Sequence, residues 1–212
     1  MNQNYEPHQL VIKHISVLET APAIAIEVEK KVFAAIDEKI KNWVESQGNW
    51  EGVYNFIDEE TTIKPILWEK DEKQGYYSWY SFGVEEAEEI SYNLSPLLGV
   101  ALVRYGLWFG VNASFVTSLI GRGTRPNIKW ATYLAEIYPQ TGLAKFGFEL
   151  QSESLFLPIL VDAQILADSY PDSLDVALEP VDDALKKLEN AHPQIDDLLT
   201  AAQTHFRSFV IA

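Results

Sequence analysis

The chain has 212 residues, with 31 Asp and Glu against 16 Lys and Arg, for a formal net charge of −15. Hydrophobic residues make up 47% and charged residues 22%, a globular composition, and a chain of this size can bury its core without staples. The absence of Cys excludes disulfides, thiolate metal sites and cysteine catalysis. The acidic excess argues against duplex nucleic acid as a partner, because such binding depends on Lys and Arg neutralising phosphates.

The opening "MNQNYEPHQLVIKHISV" has no basic stretch followed by a long apolar run, so it does not read as a signal peptide. The apolar stretches are too short for a membrane span, and a cytoplasmic location is expected. Residues 22–46 read as a long amphipathic helix, with Val32, Phe33, Ile36, Ile40, Trp43 and Val44 on one face. Pro22 suits its first turn and Gly48 its end.

Residues 50–112 lose the helical period and become aromatic and β-branched. Strands are expected near 51–57, 62–69, 75–82, 89–95, 99–105 and 107–112. Pro65 points to an edge strand, and "KDEKQG" (70–75) reads as a solvated hairpin loop. "GVALVRYGLWFGVNA" (99–113) is apolar on both faces and should be central, with a bend or bulge at Gly106. Short connections imply an antiparallel meander.

Helices are expected near 114–120 and 127–138, within 113–140, the second ended by Pro139. Residues 145–161 read as a further hairpin turning at "SES" (152–154). Residues 180–210 read as a helical hairpin, with Pro180 and Pro193 each opening a helix and "NAH" (190–192) as the turn. The expected fold class is α+β, one domain over 1–212. A long N-terminal helix packs on an antiparallel meander sheet, and a helical C-terminus ends in an αα-hairpin.

No catalytic signature stands out. The four histidines, His8, His14, His192 and His205, do not pair at i, i+4, and no H-E-x-x-H occurs. Nucleotide-binding glycine motifs and a G-x-S-x-G elbow are also missing from the sequence. Asp71-Glu72-Lys73, with Asp58 upstream, matches the D-x-K element of magnesium-dependent nucleases, in which two carboxylates hold the metal that activates water and Lys orients it. The bland reading of the same residues is a solvated turn. "SQGNW" (46–50) followed by "QGYYSWYSF" (74–82) is similar to short stretches in the N-terminal DNA-recognition domains of McrB-type restriction proteins. The rest of the chain does not follow that pattern.

The charge distribution is more informative. Between Glu89 and Glu136 there is no acid, and the only charges are Arg104, Arg122, Arg125 and Lys129. Residues 90–135 thus carry +4, leaving −19 for the rest of a chain whose total is −15. Gly121 can close one helix, and Thr124 and Pro126 can open the next, which explains the turn but not its arginines. A helix N-terminus beside clustered cations favours an anion or an acidic partner. From Asp162 to Asp197 the chain holds ten acids and two lysines, an alternative recipient for the basic turn within a monomer or across a homodimer.

These features point to a non-enzymatic interaction module with a basic turn (122–129) and an acidic C-terminal helical face. Its expected partner is a protein or a small anion, with no cofactor, no membrane and no duplex nucleic acid. The alternatives are a metal-dependent phosphodiesterase built on Asp58, Asp71 and Lys73, and an acidic mimic of a nucleic-acid backbone that occupies a basic partner.

Overall fold

The apolar stripe of the long N-terminal helix sets the fold. Val32, Phe33, Ile36, Ile40 and Val44 recur at three- and four-residue intervals, so they share one helix face. All five are buried in the computed structural model, which describes residues 6–71, 75–85, 92–121 and 125–210. Their helix, α2 (Ile15–Gln47), starts well before residue 22 and follows a short helix α1 (Glu6–Lys13). Pro22 therefore lies inside α2 and not in its first turn. The helix bond it removes is lost on an exposed segment, where water satisfies the freed carbonyl. Gly48, at φ 70°, ends α2 in the left-handed conformation that favours glycine.

The sheet has six strands in the order β1 (Trp50–Tyr54), β2 (Thr61–Pro65), β5 (Ser78–Val84), β6 (Tyr105–Val111), β8 (Ser154–Ile159) and β7 (Glu149–Gln151), with every neighbouring pair antiparallel. The meander holds from β1 to β6. The last hairpin joins with its second strand inside and its first at the edge. Between β2 and β5 the chain makes a separate ribbon, β3 (Glu69–Asp71) with β4 (Gly75–Tyr76). The expected loop tip, 72–74, lies outside the described residues. The two McrB-like stretches fall at the α2–β1 junction and along β4–β5.

Several expectations are corrected. β2 is not an edge strand. Pro65 is its last residue, beyond the Thr61–Ile63 segment that pairs with β5, so its missing N–H costs no ladder bond there. Of the strand expected at 89–95, residues 89–91 lie outside the described residues and Leu94–Leu97 is a helical turn, α3. Residues 99–104 form no strand, and Val100 and Leu102 are 76% and 97% exposed. An apolar run there had looked central because composition cannot reveal which half of it meets the sheet.

Gly106 sits in unbroken register opposite Gly83 and Pro158, without a bulge. A Cβ at this position would lie 2.3 Å from the Leu157 carbonyl and 2.5 Å from the Phe156 ring. Glycine is required there by close approach, not by a bend.

On the inner sheet face Ile63, Tyr80, Phe82, Tyr105, Leu107 and Phe109 are buried against α2 and the C-terminal helix. Phe33 of α2 packs within 4.7 to 6.2 Å of the rings of Phe56, Tyr105 and Phe82. After β6 come α4 (Ala113–Ile120) and α5 (Pro126–Thr141). Pro139 does not end α5. It occupies the last turn, and Gly142, at φ 74°, closes the helix.

Beyond β8, α6 (Ala163–Ser169) and α7 (Leu174–Ala177) lead into α8 (Glu179–Val210), which is one continuous helix and not a hairpin. Its stripe keeps helical phase straight through the expected turn: Leu188, Ala191, Ile195, Leu198 and Leu199 are all at most 2% exposed. Pro193 falls on the exposed side, so the carbonyl it leaves unbonded is hydrated. Burial of an unbroken apolar face outweighs the loss of one helix bond.

Candidate functional site

The basic turn joins α4 to α5. Gly121 closes α4, its N–H donating to the Thr117 carbonyl over 2.9 Å. Arg122 and Thr124 lie outside the described residues. The N-cap of α5 is Arg125, exposed and held in the left-handed region at φ 49° with no side-chain cap bond. Lys129 is also exposed, one turn further along.

Arg104 is elsewhere and already engaged. Its Nε and Nη2 donate to Glu85 over 3.0 and 2.6 Å, and its Nη1 and Nη2 donate to Glu149 over 2.9 and 2.7 Å. The same guanidinium lies 5.4 Å from the centre of the Phe156 ring. Hydrogen bonds from Arg104 hold the Glu85 carboxyl below its ordinary range. The arginine links the ends of β5 and β6 to edge strand β7.

The first two turns of α5 divide two clefts. One, of about 460 Å³, opens on the outer sheet face. Trp108, Glu85, Gln151 and Ser154 approach from the strands, and Asn127 and Ala131 from α5. The floor comes from an unusual sheet surface. Trp108 lies against Gly83, the Trp79 ring lies 3.1 Å from where a Gly110 Cβ would be, and Phe156 covers Gly106. Large rings here fill the space that side chains opposite them would take.

The other cleft, of about 380 Å³, lies between α5 and the end of α8. Lys129, Thr132, Tyr133 and Glu136 line it from α5, and His205 and Phe206 from α8. The Tyr133 ring is 4.9 Å from His205 and 5.2 Å from Phe206. Tyr133 is only 6% exposed, and its hydroxyl is buried without a hydrogen-bond partner among the described residues. A hydroxyl stripped of water and left unpaired is costly.

A third cluster went unread in the sequence. His192, in the middle of α8, sits among Trp50, Trp68 and Tyr80, with ring centres 4.8 to 6.2 Å away. Its Nδ1 is 3.1 Å from the Tyr80 hydroxyl and its Nε2 is 3.4 Å from Asp196. Asp196 also accepts a 2.7 Å hydrogen bond from the Trp68 indole. Burial lowers the His192 pKa below its ordinary value, and the Asp196 carboxylate works in the opposite direction. Burial, then Asp196, pushes the Tyr80 phenol well above its ordinary range. Tyr80 is fully buried, so this relay joins α8 to the central sheet and offers no reactive phenol to a substrate. The signal in the sequence is His192 and Asp196 at i, i+4, visible only if the helix runs through Pro193.

The carboxylates of the nuclease-like reading stand on separate elements. Asp58 is exposed in the turn after β1, Asp71 is on β3, and Lys73 lies outside the described residues. Among the described residues no three His, Asp or Glu side chains converge as metal ligands. The acidic C-terminal face is partly used by the fold itself. Asp182 and Asp175 pair with Lys39 of α2 over 2.7 and 3.4 Å.

No known protein family, no curated protein and no solved structure matches this chain. No helix among the described residues is long and apolar enough to cross a membrane.

Proposed function

We propose that the protein is a non-enzymatic binding module that receives an acidic group, from a protein partner or as a small anion, in the cleft between α5 and the end of α8. The observation that carries this reading is the Tyr133 hydroxyl, buried without a partner in the wall of a cleft that Lys129 also lines. A carboxylate seated there accepts from the hydroxyl, removing its desolvation cost, and pairs with the ammonium. Arg125, exposed at the N-terminus of α5, adds positive charge one turn before Lys129. Arg104 has no part in it, because its donors are spent on Glu85 and Glu149. The exposed acids of α8, such as Asp183 and Asp197, form the second contact surface.

The test is a titration with acetate, glutamate and inorganic phosphate, read by melting temperature and by amide chemical shifts. The expected result is a saturable stabilisation with shifts centred on α5 and the last turns of α8, reduced in Tyr133→Phe and lost in Lys129→Ala. Shifts elsewhere, or an equal response in Lys129→Ala, would overturn the reading.

A further inference from the structure

The helical segment that precedes the core is apolar, and it stays on the surface until Val28, which is partly buried against the core. From Glu6 to Val28 no side chain is buried, and the first buried one is Glu29. Within this span Leu10, His14, Val17, Ala21, Ile24 and Val28 follow one another at alternating intervals of four and three residues. That is the seam of a coiled coil. Val11 and Leu18 flank it on one edge. Leu10, Val17 and Ile24 are 63%, 58% and 54% exposed, and Val11 and Leu18 are 49% and 45% exposed.

His14 leaves helical geometry at the junction of α1 and α2 (φ −114°, ψ 20°), while hydrogen bonds to the residue four earlier run on both sides of it. The His14 N–H donates to the Leu10 carbonyl over 3.1 Å, and the Leu18 N–H to the His14 carbonyl over 3.0 Å. A single helix of this length is marginal in water, and its stability normally comes from packing an apolar face. Side chains exposed to this degree hold about 100 Å² each, so the seam and its flank offer several hundred Å² per copy, on the order of the ~800 Å² per partner of a stable interface.

We infer that this segment pairs with the same segment of a second copy of the chain, antiparallel, as a two-stranded coiled coil. Charge decides the orientation. Lys13 and Glu27 occupy the same edge position of the seam, two heptads apart. With a two-fold axis near residue 19, each Lys13 lies on the same side of the seam as the partner's Glu27 and about half a turn from level with it. The exposed part of the seam then closes: His14 meets the partner's Ile24 and Val17 the partner's Ala21, while Leu10 reaches the partner's Val28 at the edge of that copy's core. A parallel pair would stack His14 on its own copy and set Lys13 against Leu18, with no opposite charge in reach. It would also crowd the two globular cores at one end, whereas the antiparallel pair holds them apart. Ile12, Ile15 and Ile26 fall outside the seam.

The experiment uses the full chain. Sedimentation should give twice the chain mass for the natural sequence and the single-chain mass for Val17→Glu/Ile24→Glu, with the core melting unchanged because both residues are exposed. Lys13→Glu should weaken the dimer several-fold, and Lys13→Glu/Glu27→Lys should restore it. Because the chain has no Cys, single cysteines report orientation: Thr20→Cys should cross-link to itself, and Leu10→Cys only to Val28→Cys. A monomer across the accessible concentration range would overturn the inference, as would a dimer indifferent to Val17→Glu/Ile24→Glu. Self-cross-linking at Leu10→Cys would overturn the orientation. Binding of the monomer to phosphatidylcholine–phosphatidylglycerol vesicles through this segment would replace the second copy with a lipid surface.

Discussion

The Nδ1 atom of His192 lies 3.1 Å from the hydroxyl of Tyr80, so the middle of the last helix is tied to the central strand across 112 positions of sequence. Burial keeps this imidazole neutral, with a folded pKa below the ordinary 6.5. The unfolded chain therefore takes up the proton first. Stability is full above pH 6.5 and is lost as pH falls from there towards the folded value. Melting temperature should drop between pH 7 and pH 5, and His192→Gln should flatten that slope. An unchanged slope would mean that other groups carry the acid sensitivity.

Pro193 stands inside α8, on its exposed side. If one helix is the stable form, Pro193→Ala should restore a helix bond and stabilise the protein by about 1–3 kcal/mol. Denaturant unfolding checks this. A large destabilisation would mean that the chain needs a break at this point.

Leu198 is 2% exposed, on the stripe that α8 turns to the core. Leu198→Ala should cost about 2–5 kcal/mol. Truncation before α8 should leave an insoluble or molten chain, because the inner sheet face would lose its cover. A soluble truncation with an unchanged melting temperature would contradict this.

Two glycines of neighbouring strands should answer differently to alanine. At Gly106 the new Cβ meets backbone at 2.3 Å, whereas at Gly83 it meets only the Trp108 ring at 3.7 Å. Gly106→Ala should cost about 1–3 kcal/mol or more, since backbone cannot give way as a side chain can. Gly83→Ala should be near neutral by the same unfolding measurement.

Arg104 is 39% exposed and its partners Glu85 and Glu149 are 16% and 41% exposed. Solvent screens such a cluster, so Arg104→Ala should cost no more than about 1 kcal/mol, less at high salt. Glu85 has a folded pKa below the ordinary 4.5. Its contribution is present above that value and lost as pH falls through the folded one. The variant should therefore differ from the natural chain at pH 6 and converge with it as the pH falls through the folded value.

The fold class was legible because it rests on periodicity. The stripe of Val32 to Val44 and the stop at Gly48 are local signals, and each acts through the residues next to it. The errors arose where local rules compete with burial. Pro22, Pro139 and Pro193 each read as a helix boundary, yet each lies within a helix, because packing of the whole face outweighs one missing hydrogen bond. The apolar run at 99–104 read as a strand, although pairing begins only at Tyr105.

The candidate site follows the same division. Sequence by itself determined that positive charge is concentrated between residues 104 and 129 and that the C-terminal helical region is acidic on one side and apolar on the other. Only the tertiary structure decided which charges are already spent. It set Arg104 between Glu85 and Glu149, brought Lys129 and Tyr133 to face His205, and placed His192 against Tyr80. Charge density is additive along a chain, whereas the availability of a charge depends on which distant group folding brings within a few ångströms of it.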